Sequence, residues 1–344
     1  MNNKKPLLIV LIALCVLVAL VALAVLGVIG YFRLSVAQYY AASEKTFVIP
    51  DIKNDYVPQG MHYCPEDEVF LLSGYSASGQ PSPLYVMDAT GKKVGKDMHP
   101  LQKVTLQNAD GTPFLGHGGG IARYGDYVYV TGDDARLYIF SYAEIMAAKH
   151  SGSVRAKGEF SLQAGDDYVI PAFVTVHDGM LTVGEFYREE VYPTPESHHM
   201  TTKAGDVHYA IAVTFALSEQ AEYGIDPTPL AAYSLPAQVQ GMTYDGESIY
   251  LSTSWGLSFS HILEYDAKAL AHQGEMTVLG KTVPLYAMDS ASLVKDHKIA
   301  PMSEEMAVLD GKLYVLSESA SDKYIFGRLI GGKWCYATDM EKMK

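Results

Sequence analysis

Cysteine is scarce in this chain: three in 344 residues, of which Cys15 lies inside an apolar run, leaving Cys64 and Cys335. Two thiols make no disulfide framework, so a packed core must hold the fold. The two either bridge or stay as separate buried thiols. Tryptophan occurs only twice, and 26 basic residues face 39 acidic ones for a net charge of −13. Such a surface repels phosphate backbones and anionic headgroups, which makes nucleic acid a poor partner. Also missing are a Ser/His/Asp hydrolase signature, a metalloprotease motif and a zinc-type cysteine pair. Gly118-Gly119-Gly120 is not a phosphate loop, since no lysine follows it and no helix is in prospect. Beyond the N-terminus, helical patterning is confined to short connections such as 142–148, which excludes an alternating α/β architecture.

What the chain does have begins with Leu7 to Ile29, apolar residues and glycine without a charge or an amide. Roughly 20 such residues span the hydrocarbon core of a bilayer. Lys4 and Lys5 precede the run and no acid occurs before Glu44, so the positive-inside bias places the N-terminus in the cytoplasm. A cleaved signal peptide ending at Ser35-Val36-Ala37 is the rival reading, but signal cores run to only about 7–15 apolar residues. The expected organisation is a cytoplasmic N-terminus (1–6), a transmembrane signal anchor (7–32), a linker (33–45) and one extracytoplasmic domain (46–344) in a single-pass cell-membrane protein.

That domain repeats. Gln59-Gly60-Met61 returns as Gln240-Gly241-Met242, and the aligned apolar positions are Met61, Ile121, Thr175, Met242 and Met306, with Thr175 the polar member. Turns follow, Tyr124-Gly125-Asp126, Asp178-Gly179, Asp245-Gly246 and Asp310-Gly311, and then strands such as Tyr127–Val130 and Ile249–Leu251. Aspartate-glycine between alternating β-branched and aromatic residues signals a hairpin. Third strands are expected at 84–86, 137–140, 210–213, 262–265 and 324–326, and fourth strands at 159–162 and 232–235. Units of four antiparallel strands at this period make propeller blades. The fold class is therefore all-β, a five-bladed β-propeller of four-stranded blades. The last unit is one strand short, and Phe47-Val48-Ile49-Pro50 is expected to supply it and close the ring.

Strand alternation brings the start of strand one and the loop after strand two to one face. Gln59, His117, Gly119, Phe173, Gln240, Glu304 and Glu305 should gather around the axis there. Tyr75, Asp133, Asp134, Glu185, Tyr187, Arg188, Trp255 and Glu318 should surround them. Concave sites with convergent polar groups are the default place for ligands. The expected ligand-binding residues are Gln59, Gln240, Tyr75, Phe173, Trp255 and Glu305, with Glu304 and His117 as the candidate acid/base groups. The recurring glutamines read equally as amides bonding a neighbouring blade, and the glycines beside them as relief of crowding at the axis. No cofactor is specified; a central calcium or other divalent ion would draw on acidic oxygens such as those of Asp133 and Asp134, which read first as a solvated turn. His198, His199 and His208 lack metal spacing and read as an exposed polar loop.

Two resemblances follow from these residues. The segments His117 to Ile121, Gln240 to Met242 and Ser303 to Met306 resemble those of exported bacterial propeller proteins. The stretches Pro58-Gln59-Gly60-Met61, Leu71-Leu72-Ser73-Gly74-Tyr75, Ser82-Pro83-Leu84-Tyr85 and Ile249 to Trp255 are similar to plant-type glutaminyl cyclases, five-bladed enzymes that close an N-terminal glutamine onto itself with release of ammonia. Where that family's second blade carries a catalytic glutamate, this chain has Gly119. The resemblance therefore implies that Glu304 or His117 would have to take that role, with Gln59 and Gln240 positioning substrate. Three functions follow: a pocket for a small molecule, glycan or peptide end; a cyclase; or a scaffold that docks proteins on its blade rims.

Overall fold

The computed structural model describes residues 4–90 and 99–343. Residues 1–3 of the expected cytoplasmic segment lie outside the described residues. Lys4–Leu34 forms one helix, and its Leu7–Leu34 stretch is long and apolar enough to cross a membrane.

Five antiparallel sheets follow in a ring. Their first strands are Tyr56–Cys64, Ile121–Tyr124, Pro171–His177, Val239–Asp245 and Ser303–Leu309. The first four blades continue outward in chain order, as the period-two patterning requires. Blade 1 gains a parallel fifth strand, Gly152–Arg155, while the hairpin Ala271–Val278/Lys281–Ala287 adds to the edge of blade 3. These additions cover strand edges that would otherwise stand open.

Closure comes from the N-terminal strand. Ser43–Val48 pairs antiparallel with Trp334–Thr338 in the last blade, Ser43 opposite Thr338 and Val48 opposite Trp334. The strand begins earlier than the Phe47 start that was expected. The short helix Ala37–Ala42 before it packs Tyr39 and Ala42 into the wedge between blades 4 and 5, so the expected linker is folded onto the ring.

One expected strand is corrected. Tyr324-Ile325-Phe326 is not the third strand of blade 5; Ile325–Leu329 is a 3₁₀ turn and the strand is Trp334–Thr338. The Gly327 amide donates to the Ser319 carbonyl at 2.7 Å, folding the segment back on itself. A Cβ on Gly327 would lie 2.1 Å from Ser319 Oγ, so this return needs a glycine. The apolar pattern of 324–326 thus belongs to a loop on the ring's face.

The core is divided among the wedges between blades, with one apolar cluster at each of the five interfaces. Cys64 packs between blades 1 and 2 and Cys335 between blades 5 and 1, so the two are separate free thiols. Burial pushes their pKa values up to about 11 and about 12, which leaves them unreactive.

The axis is where the blades meet, and a single side chain fills it. At the motif position held by Gly60, Gly120 and Gly241, blade 5 carries Glu305, which is buried. A Cβ on Gly241 would stand 2.7 Å from Glu305 Cα, and one on Gly60 would stand 2.8 Å from the Ile121 amide nitrogen. Gly241 therefore clears space for Glu305, while Gly60 and Gly120 let the first strands of neighbouring blades approach closely. Its carboxylate accepts backbone hydrogen bonds from Ile121 (3.4 Å), Met61 and Met242. Those three donors belong to blades 2, 1 and 4.

Glu305→Ala should strip the acceptor from three buried amides, each worth about 1–3 kcal/mol when left unpaired. Its urea midpoint should fall by the equivalent of about 3 kcal/mol or more, with Glu305→Gln losing less. Unchanged denaturation of both variants would remove the axial carboxylate from the account of stability.

Candidate functional site

The first strands of four blades carry a β-bulge near their start. Register slips between Pro58 and Met61, Pro171 and Phe173, Val239 and Gly241, and Ser303 and Met306. A bulge turns side chains off the ladder. Here it presents Gln59, Ala172 and Gln240 to a pocket of about 600 Å³ at the mouth of the channel. The loops after each second strand supply the walls.

Polar groups gather on one side of that pocket. Gln59 Nε2 donates to Glu318 Oε2 at 2.9 Å and to its neighbour's carbonyl, that of Pro58, at 2.8 Å. Lys323 Nζ donates to the Tyr75 hydroxyl at 2.6 Å, and the Tyr75 ring lies 4.3 Å from the His117 ring. Glu304 is buried, and its Oε1 has no hydrogen-bond partner. Burial lifts the Glu304 carboxyl well above the usual range, and the charges of Glu318 and Glu305 lift it further. Glu318 is pushed up to about 7 by burial, against the pull of Lys323 and the Gln59 hydrogen bond. Two carboxyls in one low-dielectric site resist ionising together. His117, by contrast, is pushed down to about 4 by burial and then by Lys323. At neutral pH its ring is uncharged, and it can accept a proton only weakly.

The opposite side is aromatic. Trp255 lies 6.1 Å from both Phe186 and Tyr192, with the Arg188 guanidinium 4.3 Å from its ring. Behind this wall Glu185 is buried against His198, whose Nδ1 lies 3.0 Å from both carboxylate oxygens, and Asp167 Oδ1 is 3.4 Å from His198 Nε2. Burial alone would lower the His198 pKa, but the hydrogen bond and charge of Glu185, then Asp167, leave it raised. The Glu185 carboxylate also accepts the Ile211 amide at 3.1 Å. This carboxylate–imidazole–carboxylate chain pins the blade 3 insertion to the pocket wall.

The expected site residues separate accordingly. Gln59, Tyr75, His117, Gly119, Asp133, Glu185, Gln240, Trp255 and Glu318 line the pocket. Glu304 is buried within charge range of Glu318 and Tyr75. Glu305 turns to the other side and lines the opposite mouth of the channel. Phe173 is fully buried between blades 3 and 4, in the space over Gly184, and offers no stacking surface. Its bulge falls one residue early, so Ala172 takes the pocket position. Asp134 turns to Tyr138 and Arg136, and among the described residues no group of three or more His, Cys, Asp or Glu side chains is placed to hold a metal ion.

The exposed-loop reading of the histidines is also corrected. His198 and His208 are buried, the latter with Nδ1 2.7 Å from Ser234 Oγ. Lys323, Tyr324, Phe186 and Tyr192 line the pocket without having been singled out. The sequence pattern places Tyr324 in a strand and Lys323 just before it.

No protein-family model matches the chain, and no curated protein matches it. Similar solved structures include a glutaminyl cyclase from Myxococcus xanthus, 10% identical over 86% of this chain and 92% of that one, with a TM-score of 0.41. They also include BamB from Moraxella catarrhalis, 9% identical over 76% and 82% with a TM-score of 0.32. The hydrazine synthase of Kuenenia stuttgartiensis is 10% identical over 76% and 81%, with a TM-score of 0.38. The chain's own strand order defines its class: a five-bladed β-propeller with a polar pocket at one channel mouth.

Glu318 gives this pocket a pH signature. Its folded pKa, about 7, lies above the ordinary 4.5. The folded state therefore holds the proton more tightly, and the resulting stability is lost as pH rises from about 4.5 through about 7. Thermal denaturation of wild type and Glu318→Gln across pH 4.5 to 8 should show the variant gaining on wild type as pH rises. A constant difference would show that the carboxyl titrates normally.

Proposed function

We propose that the chain is a membrane-anchored, extracytoplasmic binding protein, its N-terminus in the cytoplasm, whose pocket takes a small molecule or peptide end bearing an amino group. The observation that carries this reading is the Glu304–Glu318 pair, with a buried carboxylate oxygen that lacks a partner. A cationic N–H donor would satisfy that oxygen, offset the burial that lifts both carboxyls and relieve the repulsion from Glu318 that lifts Glu304 further. Gln59 and Gln240 would orient the head group, while Trp255, Tyr192 and Phe186 would cover an apolar body. Lys323 is the cation already present, and its hold on Tyr75 is the contact a ligand would rearrange. Association of such a ligand would release a proton at pH 7.

One observation favours a second reading, a cyclase acting on N-terminal glutamine. Glu318 is poised near neutral pH, where acid/base catalysis is most effective. In that reaction the α-amino nitrogen bonds to the side-chain amide carbon and the carbon–nitrogen bond to the leaving group breaks. Glu318 would take the proton from the attacking amine and return it to departing ammonia. His117, neutral and weakly basic, fits this role less well than Glu318.

The two readings separate with one peptide carrying N-terminal glutamine and its N-acetylated form, added to the purified full-length chain. Binding predicts stabilisation by the free-amine peptide, about 2.7 kcal/mol at a hundredfold excess over Kd, without ammonia release. Trp255→Ala should weaken it by about tenfold, a loss near 1.4 kcal/mol. Ammonia release abolished by Glu318→Gln would establish the cyclase. Equal responses to both peptides, or none, would sink the amino-group reading.

A further inference from the structure

The end of the N-terminal helix rests on the pocket face of the propeller. The Phe32 ring lies 5.4 Å from Phe259 and 4.5 Å from Phe326, and Tyr31 lies 5.8 Å from Phe259. Arg33 Nη1 donates to the Ile330 carbonyl at 3.0 Å, and the Tyr40 hydroxyl donates to the same oxygen at 3.0 Å. Phe259 belongs to the loop 254–259 and Phe326 to the loop 318–333. Both loops follow second strands, so both stand at the pocket mouth. Trp255 and Gly256 of the first loop line the pocket, as do Lys323 and Tyr324 of the second.

The remainder of these loops is apolar and exposed. Leu257, Ile325 and Leu329, with Tyr192 beside Trp255, are each between 49% and 63% exposed. Lys298, Lys323, Arg328 and Lys333 stand among them with Arg33; Lys298 Nζ lies 3.8 Å from the Phe259 ring and Lys333 Nζ 5.4 Å from that of Trp334. Of the acids here, Asp322 is paired with Arg328, Glu318 turns into the pocket, and Asp55, whose amide donates to Asp322 at 3.0 Å, is bonded to Ser76 and Ser78. Glu189 and Glu190 on the blade 3 insertion carry the other sign, so the patch centres on blades 4 and 5.

The far face is of opposite character. Every hairpin between first and second strands carries an acid there: Glu66 and Asp67, Asp126, Asp178, Asp245 and Glu247, and Asp310, of which Asp67 is paired with Arg123 and Glu247 with Lys268. A protein with net charge −13 thus concentrates cations and bare apolar side chains beside the helix that would enter the bilayer. Aromatic, lysine and arginine side chains around apolar ones suit the interfacial layer of an anionic membrane.

We propose that the pocket face lies on the bilayer surface, with loops 254–259 and 318–333 seated among anionic headgroups. The pocket then opens at the membrane, and its ligand arrives along the lipid surface. This inference rests on the anchor reading above, since a released domain would have no helix to hold that face down.

Nitroxide labels on the full-length chain test it, in nanodiscs of mixed phosphatidylcholine and phosphatidylglycerol. Labels are attached in turn to Leu257→Cys, Ile325→Cys and Met180→Cys, with Cys15→Ala as background. Power saturation compares collisions with oxygen, which partitions into lipid, and with a water-soluble nickel chelate. Positions 257 and 325 should favour oxygen and position 180, on the acidic far face, the nickel complex. Lys298→Glu combined with Lys333→Glu should shift positions 257 and 325 toward nickel. Nickel-accessible labels at 257 and 325 in the unmutated background would overturn the docking while leaving the anchor intact. Immobile labels closed to both reagents would overturn it in favour of a protein partner. Recovery from native membranes of a soluble chain lacking residues 1–34 would remove the anchor and the docking together.

Discussion

One carboxylate on the axis sets the spacing of this ring. A propeller's blades splay outward from a centre where first strands crowd, and their amides would otherwise face one another across the channel. Glu305 accepts from three of those strands at once, Met61, Ile121 and Met242. The equivalent positions are glycine in the three blades concerned, and Gly241 leaves room for the Glu305 side chain itself. Blade 3 has Val174 there, and its amide packs over Gly120 of blade 2, where a Cβ would stand 2.4 Å from it. The recurrent Gly-hydrophobic pair is thus half of an arrangement whose other half is a single break in the repeat. Burial raises the Glu305 carboxyl and the three amides pull it back down, so the fold and the ionisation of the axis are one problem.

The chemistry of the pocket follows from that break. Placing a glutamate at the glycine position of blade 5 leaves its neighbour, Glu304, at the position where blades 1 and 4 carry glutamine. The bulge sends the two side chains to opposite ends of the channel, so Glu304 meets Glu318 while Glu305 holds the strands. A glutamine in place of Glu304 could satisfy itself as donor and acceptor. A carboxyl here has no such option, and an oxygen is left without a partner. Buried polar groups without partners cost stability, and a site that tolerates one is suited to a ligand that brings a donor.

The ring itself was legible in the sequence because it is periodic. Aspartate-glycine turns, the Gln-Gly-Met repeat and the missing last strand together specify blade number and closure; the turns are local signals, and the other two show as copies of one unit compared along the chain. Nine of the 24 residues that line the pocket, Gln59, Tyr75 and Trp255 among them, follow from strand alternation alone. What was hidden depended on a shift of one residue or on contacts between distant segments. Phe173 was placed by alignment with Gln59, but the bulge in blade 3 falls at Ala172 and turns the ring into the core. His198 read as exposed because nothing near it in sequence announces Glu185 and Asp167 as its partners. Residues 324–326 carry a strand's composition, yet they fold back on Ser319 and deliver Lys323 and Tyr324 to the pocket.

The unequal faces of the ring have a simple origin. Hairpins between first and second strands are short, and two of them hold aspartate at positive φ, 47° at Asp178 and 52° at Asp310. Turn chemistry therefore selects aspartate and glycine on that face whatever the function, and the acidity there is its by-product. Loops after the second strands meet no such requirement. They can lengthen, as 186–209 and 318–333 do, without disturbing the wedges that hold the core. The blade 3 insertion, the aromatic surface of Trp255 and Tyr192 and the raised carboxyls of Glu304 and Glu318 consequently collect at one channel mouth. The N-terminal helix ends against that same face, while a second cavity of about 490 Å³ lies at the opposite mouth.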